Sequence, residues 1–409
     1  MEYFDVIIIG AGPSGNTAAK DLANFGVNTL VVDWRETPGD KLCTGIIGIE
    51  CSREIPPDPD IVYGEALEVT VHSPNGDKYS LSDSYSHALI IDRVRYVQKM
   101  ATEAQVAGAS YLFNSRVTDI KLTSDFVELS VMTHSETKKY KSKMIIIATG
   151  FSNNLLNQVG LDKSKRSDYL VGTQVGVRVK DINNIQLYTG EYMIKGSFAW
   201  LVPTFNSNAL FGAIYRDAKS VDIRGALSHL IESGIIEPGN YDIENWGIPI
   251  KPISKTFSDR VLVVGDAAGF TKPTTGGGIY YSILSGKYAA KTICGAFDEG
   301  DFSQNYLESY ELMWKDKFSS ELKSGYYARL LYESLDDNTL NILLEKFANR
   351  SFQDKLLSDG GFSFDWHSSV ISKTLKHKEV YSILKSLGPQ STKILAKLFA
   401  SVVRDKVTW

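Results

Sequence analysis

Gly10, Gly12 and Gly15, in the run Gly10-Ala11-Gly12-Pro13-Ser14-Gly15, stand at the spacing that lets a backbone wrap a diphosphate. In such a run one glycine makes the tight turn, one admits the pyrophosphate closely, and one lets the helix pack on the strand. The helix that opens at Pro13 turns its free N–H groups toward the phosphates. Asp33 follows the next apolar run, Asn28 to Val32, at the distance where a carboxylate accepts hydrogen bonds from an adenosine ribose. An acid there also disfavours a 2′-phosphate. A glycine turn alone is weak evidence, but strand, turn, helix, strand and acid are all in place here. A second constellation lies far down the chain. Val261 to Val264 leads into Gly265-Asp266-Ala267-Ala268, and then into Pro273-Thr274-Thr275-Gly276-Gly277-Gly278 and a helix from Ile279. Asp266 offers an acceptor for the hydroxyls of a ribityl chain, and the glycines let the backbone approach a flat ring. The helix N-terminus faces the ring edge that becomes negative on reduction, worth about 0.3 to 1 kcal/mol and about 2 kcal/mol if partly buried. This second segment is what separates FAD from NAD as the expected cofactor; the plainer alternative is a strand and helix joined by a loop.

These residues need elements to position them. The opening reads as a βαβ unit: Tyr3 to Ile9, a helix to about Phe25, then Asn28 to Val32. The run Pro56-Pro57-Asp58-Pro59-Asp60 breaks regular structure, and a strand resumes at Leu67 to His72. Val94, Val97, Met100 and Ala101 have helical spacing, and alternating segments ending at Met144 to Ala148 predict an antiparallel meander. From Leu170 to Trp246 the pattern is mostly strand. Beyond Ser303 it is helical, with breaks at Gly360-Gly361 and Gly388-Pro389. The expected fold is α/β: a Rossmann-type FAD-binding domain with an inserted antiparallel β-sheet substrate domain and a C-terminal helical region. The FAD domain is assigned to 1–60, 85–169 and 250–300, the sheet domain to 61–84 and 170–249, and the helical region to 301–409.

The 409 residues are 43% hydrophobic and 22% charged with net charge −4, ordinary for a globular protein and without a pull toward nucleic acid. Cys43, Cys51 and Cys294 form no CxxC pair, and the six histidines have no ligand spacing. Neither a metal site nor a disulfide framework is expected, and a reducing, cytoplasmic compartment fits. No run reaches transmembrane length, and Val6 to Ile9 is too short for a signal peptide.

The glycine turn, Asp92-Arg93 before a helix, Ala148-Thr149-Gly150 after the meander and GDAAGFTKPTTGGGI together resemble the geranylgeranyl reductase family of flavoproteins, within the para-hydroxybenzoate hydroxylase-like superfamily. The likeness covers most of the chain. Gly39-Asp40-Lys41-Leu42-Cys43-Thr44-Gly45 is similar to the loop where that family carries a cysteine beside the flavin. Phe198-Ala199-Trp200-Leu201-Val202-Pro203 resembles its YxWxFP substrate motif, and Leu335 to Leu340 a C-terminal stretch of archaeal members. Departures are Thr44 between Cys43 and Gly45, Phe198 for tyrosine, Val202 for phenylalanine and Thr149 for an aspartate. The resemblance implies cofactor contacts at Cys43, Thr44, Gly45, Arg93, Ala148, Thr149 and Gly150. Trp34, Arg35 and Val117 complete the expected set, and Phe198, Trp200 and Pro203 are the expected substrate contacts.

The resemblance implies saturation of carbon–carbon double bonds in an isoprenoid lipid. An isolated alkene has no carbonyl oxygen for an oxyanion hole to assist, so a proton must arrive with the hydride. Cys43, Tyr280 and Tyr281 are the candidate donors, Cys43 first among them; the plainer reading of each is packing. Phe198 and Trp200 share a strand face and line either a tunnel or a core. No second dinucleotide motif is visible, so NAD(P)H docking transiently and ferredoxin both stand as electron donors. Residues 373–409 hold eight basic and two acidic residues beside the apolar stripe Ile394, Leu395, Leu398, Phe399, Val402 and Val403. That pattern fits either peripheral contact with the inner face of a membrane or a helix packed on the domain. The alternatives to a reductase are a flavin monooxygenase or halogenase of the same superfamily, and a non-catalytic prenyl-lipid binding protein.

Overall fold

A computed structural model describes residues 1–403 apart from 42, 83–84, 153, 162–167, 217–221 and 358–361. The predicted break at Gly360-Gly361 and the basic residues Arg404 and Lys406 lie outside the described residues. The first strand, Glu2–Ile9, buries its Val6–Ile9 half completely. A run of β-branched residues covered on both faces is what a central parallel strand requires. The parallel sheet runs in the order Val261–Val263, Thr137–Ile147, Glu2–Ile9, Thr29–Val32, Ser110–Leu112. Ile9 pairs with both Ile147 and Val32, and Ile147 pairs with Val263. The carboxyl ends of four strands therefore lie level, and the loops that follow them, near residues 10, 33, 148 and 264, leave the sheet at one edge. In open α/β sheets ligands bind beyond that edge.

Arg116–Leu122, Val127–Met132 and Thr137–Ile147 form the expected antiparallel meander, whose last strand continues into the parallel sheet. A second sheet has the order Glu244–Pro249, Tyr169–Arg178, Asn208–Tyr215, Phe198–Pro203, Ile185–Thr189, Glu68–His72, Lys78–Ser82. One face packs Val175, Val177, Phe211 and Tyr215 against the helix Ile223–Glu232. That helix interrupts a stretch read from sequence as strands. It is started by Asp222, whose carboxylate accepts from the Gly225 amide, as an N-cap does. The other face, with Leu170, Trp200, Val202, Ile214 and Ile248, clusters with Ile46, Tyr63 and Ile90. A small sheet of Ile46–Gly48, Ala88–Ile91 and Val62–Glu65 lies beside it.

The helix Pro13–Asn24 packs on Arg93–Val106 and on the long helix Ile279–Glu299. Beyond it come Gln304–Tyr332, Asp337–Ala348, Arg350–Leu357, Ser368–Lys376, Lys378–Lys385 and Pro389–Val403, in keeping with the helical reading of this region. The break at Gly388-Pro389 falls where expected, and the segment from Phe362 to His367 is not helical. Leu395 and Leu398 of the last helix are buried with Leu331, Leu375 and Leu384, and Ile394 and Val402 pack beside them. That stripe is therefore mostly spent on packing, with Phe399 remaining exposed. Among the described residues no helix is long and apolar enough to cross a membrane.

Candidate active site

The level strand ends open into a cavity of about 840 Å³. Gly10, Gly12, Pro13, Ser14, Asp33, Trp34, Arg35, Cys43, Thr44, Gly45, Arg93 and Val117 line it, as do Ala148, Thr149, Gly150, Asp266, Gly276, Gly277, Gly278, Ile279 and Tyr280. Phe198 and Trp200 lie on the same wall. Asp266 and Gly10, more than two hundred residues apart, thus face one space. Gly15, Gly265, Ala267, Pro273 and Pro203 do not line it. A Cβ on Gly15 would lie 2.0 Å from the Gly10 carbonyl oxygen, so that glycine serves helix–strand packing. Gly265 is closed in by Ser14 and Ser282, and Ala267 is wholly buried. Pro273 packs against Gly325, and Pro203 ends its strand away from the cavity.

At the first glycine turn Gly10 has φ +116°, and a Cβ there would meet the Ala148 carbonyl oxygen at 2.3 Å. The turn is thereby pressed on the neighbouring strand end, a position only glycine fills without strain. Gly12 has nothing within 4 Å of its Cβ position and caps the helix Pro13–Asn24 without any side-chain hydrogen bond. The open first turn suits an approaching anion. Asp33, 5% exposed, accepts from the Ala11 amide at 2.7 Å and the Arg35 amide at 2.8 Å. A carboxylate has acceptor capacity beyond two bonds, so it can still take a ribose hydroxyl. Trp34 is exposed beside it, with the guanidinium groups of Arg35 and Arg116 4.4 and 5.2 Å from its ring centroid.

Arg93 is neither a surface residue nor a helix cap; that cap is Asp92, which accepts from the Arg95 amide. Its buried guanidinium donates to the carbonyls of Gly39 and Lys41, while Nε is buried without a partner. Thr275 Oγ1 is likewise buried and unpartnered on the cavity wall. Buried polar atoms are almost always bonded, so these two mark places where a ligand's polar atoms complete the structure. The helix Ile279–Glu299 begins at Gly278 with no side-chain cap, its positive end toward the cavity. Open glycines, two uncapped helix starts, two carboxylates and orphaned polar atoms fit a long dinucleotide with a polar ring edge.

Several residues of the site were not singled out from sequence. Lys41 pairs with Asp266 at 2.6 Å, tying the cysteine loop to the second glycine segment. Gln174 of the second sheet accepts from the hydroxyl of the expected Thr44 at 2.8 Å. Lys272, in the quoted GFTKP run, is buried; its ammonium donates to the Phe364 carbonyl and lies 4.0 Å from that ring centroid. Burial lowers its pKa to about 8. Phe364 and Asp365 reach the cavity wall from the C-terminal region. The cluster of aromatic and polar residues from Phe362 to His367 was the only signal for them, and it has no helical period. Tyr281 stacks on Phe318 with centroids 5.2 Å apart and donates to the Asp365 carbonyl, which is core packing. Tyr280 faces the cavity beside Trp366, and burial raises its pKa.

Fold and site define an FAD-dependent oxidoreductase. The profile of the family described as pyridine nucleotide-disulphide oxidoreductase matches residues 4–181. Along most of its length the chain is similar to the digeranylgeranylglycerophospholipid reductase of Methanocaldococcus jannaschii, 28% identical over 84% of this chain and 90% of that protein. The namesake from Methanococcus vannielii is 26% identical over 84% and 90%. Among solved structures, a geranylgeranyl bacteriochlorophyll reductase-like protein from Thermoplasma acidophilum aligns with TM-score 0.83 at 23% identity, over 95% of this chain and all of that one. A flavin-dependent brominase aligns with TM-score 0.67 at 15% identity, a likeness of fold alone. The resemblance to geranylgeranyl reductases is borne out, and the chain binds FAD.

Proposed function

We propose that this protein saturates carbon–carbon double bonds in the isoprenoid chain of a lipid. The observation that carries the reading is that one cavity is lined both by the dinucleotide cradle and by an apolar cluster, its apolar arm, of Val69, Ile185, Leu187, Trp200, Ile214 and Ile248. A long apolar chain can lie along that arm with one end at the cradle, and the names of the similar archaeal proteins agree. FAD would be held by Gly10 to Ser14, Asp33, Arg93, Asp266 and Gly276 to Ile279, within segments 1–60, 85–169 and 250–300. Residues 61–84 and 170–249 would provide the lipid wall, and 301–409 the backing. When bound and reduced, FAD supplies the hydride; the rest falls to the chain's own side chains. The apolar arm excludes water and orients the alkene. Cys43 and Tyr280 both line the cavity and would be the groups to hand over a proton; burial keeps the Tyr280 phenol protonated at physiological pH. The electron donor, NAD(P)H or a ferredoxin, docks transiently from outside. Lipid presentation at the inner face of a membrane fits the basic C-terminal residues; loss of liposome pelleting on their removal would support it, and unchanged pelleting would reject it.

The test is mass spectrometry of a geranylgeranylated glycerolipid incubated anaerobically with the FAD-loaded, chemically reduced protein. The expected product gains whole pairs of hydrogen atoms. An unchanged lipid that stays bound would instead make the protein a lipid carrier. Product formed only in air, and oxygenated or halogenated, would make it a monooxygenase or halogenase.

A further inference from the structure

Two tryptophans of the second sheet lie over glycines on the neighbouring strands. Trp246 pairs directly with Gly172, and Trp200 directly with Gly212. A Cβ on Gly172 would fall 2.5 Å from Cε2 and Cζ2 of Trp246; a Cβ on Gly212 would fall 2.5 Å from Cζ2 of Trp200 and 2.7 Å from the Thr173 carbonyl oxygen. Each indole therefore occupies the space that any other residue opposite it would fill. Glycine inside a strand weakens it, and a close approach by another group is what such a position commonly accommodates. The strands run in the order Glu244–Pro249, Tyr169–Arg178, Asn208–Tyr215, Phe198–Pro203. Of these four strands the first and fourth carry the tryptophans and the two between them the glycines, so each ring lies over a strand between the two tryptophan strands. Both rings line the cavity. Trp200 Nε1 is buried without a partner, so no hydrogen bond fixes that ring, and its place is set by the notch beneath it.

We propose that these two cross-strand tryptophan–glycine pairs set how far an isoprenoid chain reaches into the apolar arm, and so select chain length. The proposal rests on the reading of the arm as the lipid wall. Flattened against the sheet, the indoles leave the arm deep. A methyl group in either notch forces the ring off the sheet into the path of the chain, because the strand beneath is held on both sides and cannot withdraw. Gly176 is the natural control: it is on the same strand as Gly172, an even number of residues away, with nothing within 4 Å of its Cβ position.

The experiment compares wild type, Gly172→Ala, Gly212→Ala and Gly176→Ala, each loaded with FAD. It measures kcat/KM for lipids bearing geranylgeranyl and geranyl chains, and the Kd of the fully saturated analogue of each. Gly172→Ala and Gly212→Ala should each lower the preference for the longer chain by at least about tenfold, the scale at which pockets discriminate by small apolar groups. The Kd values should shift with it, and Gly176→Ala should match wild type. The double variant Gly172→Ala with Trp246→Phe, which shrinks the displaced ring in a notch whose nearest neighbours are side-chain atoms, should regain the long chain; it also covers the case in which Gly172→Ala alone folds poorly. An unchanged preference in both glycine variants, or the same loss in Gly176→Ala, overturns the proposal. A wild type that reduces neither lipid overturns the reductase reading instead, while the Kd ratios still decide whether the notches set chain length.

Discussion

Gly10 is pressed so closely on Ala148 that a single methyl group has nowhere to go. Gly10→Ala should therefore cost at least about 2 kcal/mol of stability, combining positive-φ strain with a clash against backbone. It should also lower the ratio of flavin absorbance to protein; a variant that retains wild-type flavin content would show that the turn does not abut the cofactor. Cys43 and Tyr280 invite a different comparison, because neither anchors the backbone. Cys43→Ala and Tyr280→Phe should both keep FAD, and the one that removes the proton donor should lower kcat about 10²- to 10⁴-fold with little change in the Kd for lipid. If both variants retain wild-type kcat, the proton comes from elsewhere. Lys272 poses a question of pH. Its amine faces Asp365, Cys51, Glu321 and Glu50, yet burial prevails and its pKa falls from 10.5 to about 8. Between those values the unfolded chain binds more protons than the folded one, so folding stability rises with pH across that window. The stability of wild type relative to Lys272→Met should accordingly increase from pH 8 to pH 10.5, by at most about 3 kcal/mol. Denaturant titrations of the apoprotein at several pH values would measure this, and a difference independent of pH would contradict it.

Among the elements, register matters more than any single residue. Ile9, Val32, Ile147 and Val263 end their strands at one level, which is why motifs separated by more than two hundred positions share a cavity. Much of this was legible in the sequence. Apolar runs ending in glycine or an acid announce both strand and ligand edge, and the period-two spacing of Phe198 and Trp200 put both on one face of their strand while leaving tunnel and core as alternatives. What was not legible depends on contacts across long separations. No local pattern tells that Lys41 meets Asp266, or that Asp365 reaches back to the helix Ile49–Glu54. That helix starts at Gly48 with no cap of its own. The Asp365 carboxylate accepts from the Cys51 amide at 3.0 Å instead, and sits where a Gly48 Cβ would be. A C-terminal segment thus does what a neighbouring serine or aspartate does elsewhere. With Lys272 bonded to Phe364 and Thr274 to His367 at 2.6 Å, it also clips the second glycine loop in place. Asp365→Ala should leave buried amides unpaired and destabilise the protein by about 1 to 3 kcal/mol. Because the segment forms part of the cavity wall, the same variant should speed reoxidation of the reduced flavin in air. Destabilisation with unaltered reoxidation would limit the segment to a structural role.

At the scale of the whole molecule, the cavity wall is assembled from the glycine turns of the parallel sheet, the apolar face of the second sheet and the 362–367 segment. A ligand that fills it must stabilise all three at once. Saturating FAD should raise stability by about 2.7 kcal/mol at a hundredfold excess over its Kd. The manner of unfolding should change as well. Without cofactor, the second sheet and the C-terminal helices have their own apolar clusters and can loosen separately from the parallel sheet. Their transitions by far-ultraviolet circular dichroism and by tryptophan fluorescence should then fall at different denaturant concentrations. With FAD bound, both signals and the release of flavin should coincide, as they do in a two-state transition. Flavin release well before either signal changes would mean that the cofactor is held by the first glycine turn alone. The second glycine segment, the lipid wall and the C-terminal clip would then be neighbours of the FAD site without being coupled to it.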